Sequence, residues 1–273
     1  MSTPEPVAAP AVYVAPPVDD PRRDEVLDRL SRIGIVGASQ AAGFGTGVGL
    51  ADTLEAALGV PHQIHDSSVA LMHLGAVDLG SVQITATKLR SVKMVLAIDF
   101  LFWFAYGDKQ PAQRHAELQQ GMAMLESLGV PVFVGDLPDV HGASRRMISG
   151  AQIPEVSDLA QLNAEIHAWA EGNPDVYVVP LADWMHALKQ ELPVELGDKT
   201  IHVSTGHMLQ WDLLHPTAHG QALLTLLVLQ QLRAEWGGLR DDDVLLDPAA
   251  VADLVVPSRT PAPEGSLPRP PDG

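Results

Sequence analysis

Ser39, Asp212 and His215 are the residues of this chain whose types and settings could together do covalent chemistry. A serine hydroxyl is a weak nucleophile until a base takes its proton, a carboxylate holds that base in the right tautomer, and N–H donors receive the oxyanion that forms. Ser39 stands in Gly37-Ala38-Ser39-Gln40, after the apolar run 32–36 and before glycines 43, 45, 47 and 49. Asp212 and His215 share the segment Asp212-Leu213-Leu214-His215-Pro216 near the other end of the chain. That distance is no obstacle, because such triads assemble in space and occur in several chain orders. Each half also has an ordinary reading. A glycine-rich turn is a common strand-to-helix connection, and Asp-x-x-His is often a capped turn carrying a surface histidine. Their joint presence favours the chemical reading.

The elements that must position these residues follow from local pattern. Residues 32–38 read as a short buried strand, and a helix over 47–58, with Asp52 and Glu55 in its first turns, would bring Ser39 near a helix N-terminus. Free N–H groups there favour negative charge. Thr217 is placed to cap a helix over 218–235. Strands are expected near 32–38, 62–67, 92–98, 131–135 and 176–180, alternating with helices near 47–58, 111–128, 157–171 and 218–235. Short β-rich runs separated by amphipathic helices predict an α/β fold, a three-layer α/β/α sandwich around a central, mostly parallel five-stranded sheet.

With both segments in hand, the sequence resembles the SGNH, or GDSL, hydrolases, whose first block is a Gly-Asp-Ser-type strand end and whose last is Asp-x-x-His-Pro. The likeness extends over about 32–236 and implies a flavodoxin-like sandwich that needs no cofactor. It implies Ser39 as nucleophile, His215 as general base and then acid, and Asp212 as the orienting carboxylate of a carboxylic ester hydrolase. Esterases, lipases and acetyl esterases are the activities such a resemblance suggests, each through an acyl-enzyme. Gly135-Asp136-Leu137-Pro138-Asp139 and Leu162-Asn163-x-x-Ile166 also look like such hydrolases.

The third block departs from the family. Gly-x-Asn-Asp should follow 92–96, where this chain has Ala97-Ile98-Asp99-Phe100. The two asparagines, Asn163 in a predicted helix and Asn173 just before a strand, are not placed to replace the missing one. Asp99, kept neutral by burial, could donate a hydrogen bond where the family uses an amide, or could simply satisfy backbone donors at a strand end. For the second-block glycine, Gly75 and Gly80 are both candidates, with Gly75 preferred. The expected oxyanion donors are therefore the Ser39 N–H, the Gly75 region and Asp99.

Composition narrows the setting. The chain has 273 residues, 46% apolar, with a formal charge of −17, enough to bury one core and poorly suited to nucleic acid or an anionic membrane surface. Domain bounds are expected at 1–22, a Pro/Ala-rich disordered tail, 23–240, the hydrolase domain, and 241–273, an extended acidic and then Pro-rich tail. No cysteine is present, which excludes disulfides and thiolate catalysis. The start carries no signal-like segment and no apolar run approaches the ~20 residues of a membrane span, so a cytoplasmic setting is expected. The expected partner is a small-molecule ester, with oligomeric state left open.

Rival readings have weaker support. The glycines at 43–49 do not fit a dinucleotide loop. Asp212, His215 and His219, with His202 and His207 nearby, could instead bind a metal for a metal-dependent hydrolase. A non-catalytic binding protein that kept the fold is the third. The run Phe100 to Tyr106 could wall an acyl pocket, although core packing is the plainer account.

Overall fold

A computed structural model describes residues 21–256. The tail expected at 1–22, apart from its last two residues, and the Pro-rich stretch 257–273 lie outside the described residues. Strands β1 (Ile33–Ile35), β2 (Ile64–Asp66), β3 (Met94–Ala97), β4 (Val132–Gly135) and β5 (Val176–Val179) form an all-parallel 5-stranded sheet in the order β2-β1-β3-β4-β5. Ile33 pairs with Ile64 on one side and Met94 on the other, which places β1 inside the sheet next to the central β3.

Side-chain alternation along the strands builds two cores. Ile33, Ile35, Met94, Leu96, Ile98, Phe133 and Val179 point to one face, while Val36, Val95, Ala97, Val132 and Val134 point to the other. Helices α1 (Arg23–Leu30), α2 (Leu50–Ala57), α7 (Leu181–Lys189) and α9 (Ala218–Trp236) pack on the first face. Helices α3 (Ala76–Lys88), α4 (Phe102–Ala105), α5 (Pro111–Glu126) and α6 (Val156–Glu171) cover the second. This is the expected three-layer α/β/α sandwich, and a sheet buried on both faces explains why its strands read as nearly continuous apolar runs. A small hairpin, β6 (Val194–Leu196) with β7 (Lys199–Ile201), and the short helix α8 (Thr205–Met208) sit between α7 and α9. Thr217 caps α9 as its position predicts, accepting the Gly220 N–H at 3.1 Å. Among the described residues no helix is long and apolar enough to cross a membrane.

One boundary needs correction. Residues 241–256, expected as the start of an extended tail, complete the core instead. Helix α10 (Pro248–Val255) buries Val251 and Ala252, with Asp247 accepting the N–H groups of Ala249 and Ala250 at its start. Leu58 and Val244 form a β-bridge, and Asp243 pairs with Arg23. The acidic run 241–243 therefore fastens a helix whose Asp-Pro start and apolar face were the overlooked signals.

In a doubly wound sheet, ligands bind outside the carboxyl ends of the strands where the order of connection reverses. Here the reversal lies between β1 and β3. The chain leaving β1 reaches Ser39, and the chain leaving β3 reaches Asp99.

Candidate active site

The serine turn is held from two sides. Gln83 of α3, buried, accepts the Gly37 N–H at 2.7 Å and donates to the Gly37 carbonyl at 3.0 Å. Asp99 accepts the N–H groups of Ala38 at 2.8 Å, Gln40 at 2.8 Å and Ala41 at 3.3 Å. The Ser39 N–H, between them, has no hydrogen-bond partner among the described residues. Gly37 is required here, because a Cβ would overlap Asp99 Oδ1 and meet the Ala41 Cβ at 2.6 Å. The helix expected to start at 47 begins at Leu50, so the donors around Ser39 belong to its own turn rather than to a helix end.

Asp212 and His215 converge on that turn. The His215 Nε2 lies 2.9 Å from Ser39 Oγ, and its Nδ1 lies 2.8 Å from Asp212 Oδ2. An ionised carboxylate only accepts, so Nδ1 carries the proton and Nε2 is left to receive one from the serine. Asp212 Oδ1 also accepts the N–H groups of Leu214 and His215, each at 3.0 Å. Burial works to raise its pKa, but those donors and the imidazole outweigh burial, and the carboxyl ends below its ordinary value. The intervening Leu213 takes φ 55, a left-handed conformation that costs a branched residue about 1–2 kcal/mol. Phe44, from the glycine-rich loop, packs on the imidazole with ring centroids 4.6 Å apart. Gln210 ties the two segments by donating to the carbonyls of Phe44 at 2.7 Å and Pro216 at 2.9 Å.

A cavity of about 150 Å³ opens beside Ser39 and His215. It runs between α7 and α9, walled by Phe102, Trp184, Met185, Leu223 and Leu227, with Asp136 among its lining residues. Of the aromatic run 100–106, Phe102 lines this cavity, whereas Phe100, Phe104 and Tyr106 are fully buried in the second core.

No family model matches the sequence, and no curated protein sequence matches it. Solved structures do match. A candidate acylhydrolase from Bacteroides fragilis aligns at TM-score 0.51 over 75% of this chain and 88% of its own, with 13% identity. A diltiazem-metabolizing enzyme from a gut microbe aligns at 0.51 over 74% of this chain and 46% of its own, with 11% identity. A GDSL-like lipase from Bacteroides thetaiotaomicron aligns at 0.47 over 76% and 90%, with 13% identity. The chain shares its fold with the candidate Bacteroides fragilis acylhydrolase.

On this fold, the remaining expectations divide. Ser39, Asp212 and His215 are brought into hydrogen-bond contact. Gly75 is not an oxyanion donor, because its N–H closes a tight turn onto the Met72 carbonyl at 3.1 Å. Gly80 lies inside α3, where its bareness lets the Phe104 ring approach. Both oxygens of Asp99 accept backbone N–H groups of the serine turn, and burial outweighs those donors and raises its pKa. Ile98, the neighbour that shares the cavity wall, has no polar side-chain atom to offer. Asn163 is spent on the N–H and carbonyl of Leu137, and Asn173 on the carbonyl of Trp169.

The proposed metal set is not assembled. Both ring nitrogens of His215 are engaged, and His219 packs against His207 with ring centroids 4.5 Å apart. Among the described residues no group of three or more metal-ligating side chains converges. Gln83, Phe44 and Asp136 were missed from sequence. Gln83 lies on a helix not expected at all, while Asp136 was noticed only for its likeness to a family segment.

Proposed function

We propose that the protein is an SGNH-type serine hydrolase that cleaves a carboxylic ester through an acyl-enzyme on Ser39. The observation that carries this reading is the continuous hydrogen-bonded path from Ser39 Oγ through the imidazole of His215 to the carboxylate of Asp212. Ser39 attacks the ester carbonyl while His215 Nε2 takes its proton. The proton then passes to the leaving alcohol, and water activated by the same imidazole releases the acid. Asp212 holds the ring and stabilises the imidazolium. The unpartnered Ser39 N–H receives the oxyanion. The chain has no third-block asparagine beside it, and the lack of one such donor typically lowers turnover by about 10²–10³ fold without abolishing the chemistry.

A fluorophosphonate probe and short p-nitrophenyl esters test the reading. The parent should label and turn over ester, and Ser39→Ala should do neither. A folded parent that neither labels nor hydrolyses any ester would favour a binding protein built on the same fold, a reading that the missing oxyanion amide supports.

A further inference from the structure

Asp136 lines the mostly apolar cavity beside Ser39, and the hydrolytic step does not use it. Asp136 follows β4, is 5% exposed and lines the cavity shared with Ser39 and His215. Its Oδ1 accepts the Ala182 N–H at 2.7 Å in the first turn of α7, and its Oδ2 lies 3.4 Å from Nε2 of His167. Capping α7 accounts for one oxygen only, and a serine or asparagine would cap as well without burying a charge. A carboxylate has about four acceptor positions, so capacity remains beyond these two contacts. Burial raises the Asp136 pKa, against the pull of the Ala182 N–H and His167, so the position is costly until another donor arrives.

The fold sets the distance. Ser39 leaves β1 and Asp136 leaves β4, with β3 between them, and two inter-strand spacings amount to about 10 Å. An apolar cavity of about 150 Å³ holds a ligand of roughly benzene size, or about six carbons. A hydroxyl suits the cavity better than an ammonium, whose desolvation among apolar walls costs far more.

Resting on the hydrolase reading, we propose that the acyl group accepted here is a chain of about six carbons carrying a hydroxyl near its far end, and that Asp136 accepts the hydrogen bond from that hydroxyl. The ester carbonyl then lies at Ser39, the methylenes lie along Trp184, Met185 and Leu223, and the hydroxyl meets the carboxyl across the sheet end.

Calorimetric binding to the Ser39→Ala chain reads the cavity without turnover. Methyl hexanoate, methyl 6-hydroxyhexanoate and methyl 6-aminohexanoate are compared, each also against chains that add Asp136→Leu or Asp136→Asn. Asp136→Asn keeps an oxygen for the Ala182 N–H and so guards against simple misfolding. The hydroxy ester should bind about 10- to 100-fold more tightly than the plain ester, a preference that shrinks with Asn and disappears or reverses with Leu. Equal binding of the plain and hydroxy esters, a preference unchanged in both variants, or a stronger preference for the amino ester would overturn the proposal. Hydrolysis of the same esters by the parent is followed in parallel. Absent turnover with the hydroxyl preference intact would count against the hydrolase reading alone.

Discussion

The carboxylate of Asp99 brackets Ser39, accepting the N–H groups of Ala38 on one side of it and of Gln40 and Ala41 on the other. The serine N–H is skipped and stays open. A residue that resembled a displaced oxyanion donor is thus an acceptor that shapes the nucleophile turn, and it acts through Ser39 rather than on substrate.

Asp99→Asn should therefore harm rather than repair the site. An amide offers one oxygen to the three N–H groups and turns its own NH2 towards one of them. A stability loss of about 1–3 kcal/mol is expected, with reduced turnover. Thermal melts and ester kinetics check it, and a variant as stable and active as the parent would show that the bracket is dispensable.

The Gly37 hydrogen bonds to Gln83 and the space left for Asp99 make two further sites sensitive. Gln83→Ala leaves the buried N–H of Gly37 without a partner, while the Gly37 carbonyl keeps the Val69 N–H, at a cost of about 1–3 kcal/mol. Gly37→Ala drives a methyl into the Asp99 carboxylate and should cost at least about 2 kcal/mol. Both should lower kcat on p-nitrophenyl esters more than they raise KM, because they displace the nucleophile rather than the binding cavity.

Asp212→Asn keeps the shape of the loop but presents the wrong partner to His215 Nδ1, and turnover should fall by up to about 10⁴-fold. The folded Asp212 carboxyl titrates below its ordinary value of 3.8, so its stabilising contribution is present above that value and fades as pH falls through the lower folded one. In acid melts the parent should therefore lose its advantage over Asp212→Asn only below about pH 4.

Asp136 has the opposite sign. Its folded pKa is raised, chiefly by burial, so the folded chain binds the proton more tightly and stability falls as pH rises above the ordinary 3.8. Asp136→Asn mimics the protonated form. Its melting temperature should exceed the parent's at pH 8, and the gap should close towards pH 4; a constant gap would mean that charge burial is not the cause.

Much of this molecule was legible in its residues. The five strands fall where apolar, β-branched runs predict them, because a parallel sheet covered on both faces demands such runs. Helices α5, α6 and α9 match closely for the complementary reason of length and periodicity. Helices α3 and α7 were missed, since α3 carries Gly80 and threonines within a weakly patterned stretch and α7 follows a proline. Helix α10 was lost to the acidic residues before it.

Residue types alone determined the available chemistry: a serine at a strand end, an Asp-x-x-His before a helix, no thiol and no third-block asparagine. Those are properties of side chains and local order, and they survive without coordinates. Only the tertiary structure decided what each carboxylate faces. Asp99 meets backbone donors because Gly37 lets it approach, and Asp136 meets a cavity because α7 and α9 leave space beside the sheet end. Whether a carboxyl accepts from backbone, orients an imidazole or waits for a ligand depends on groups far away in the chain, and no local pattern encodes their approach.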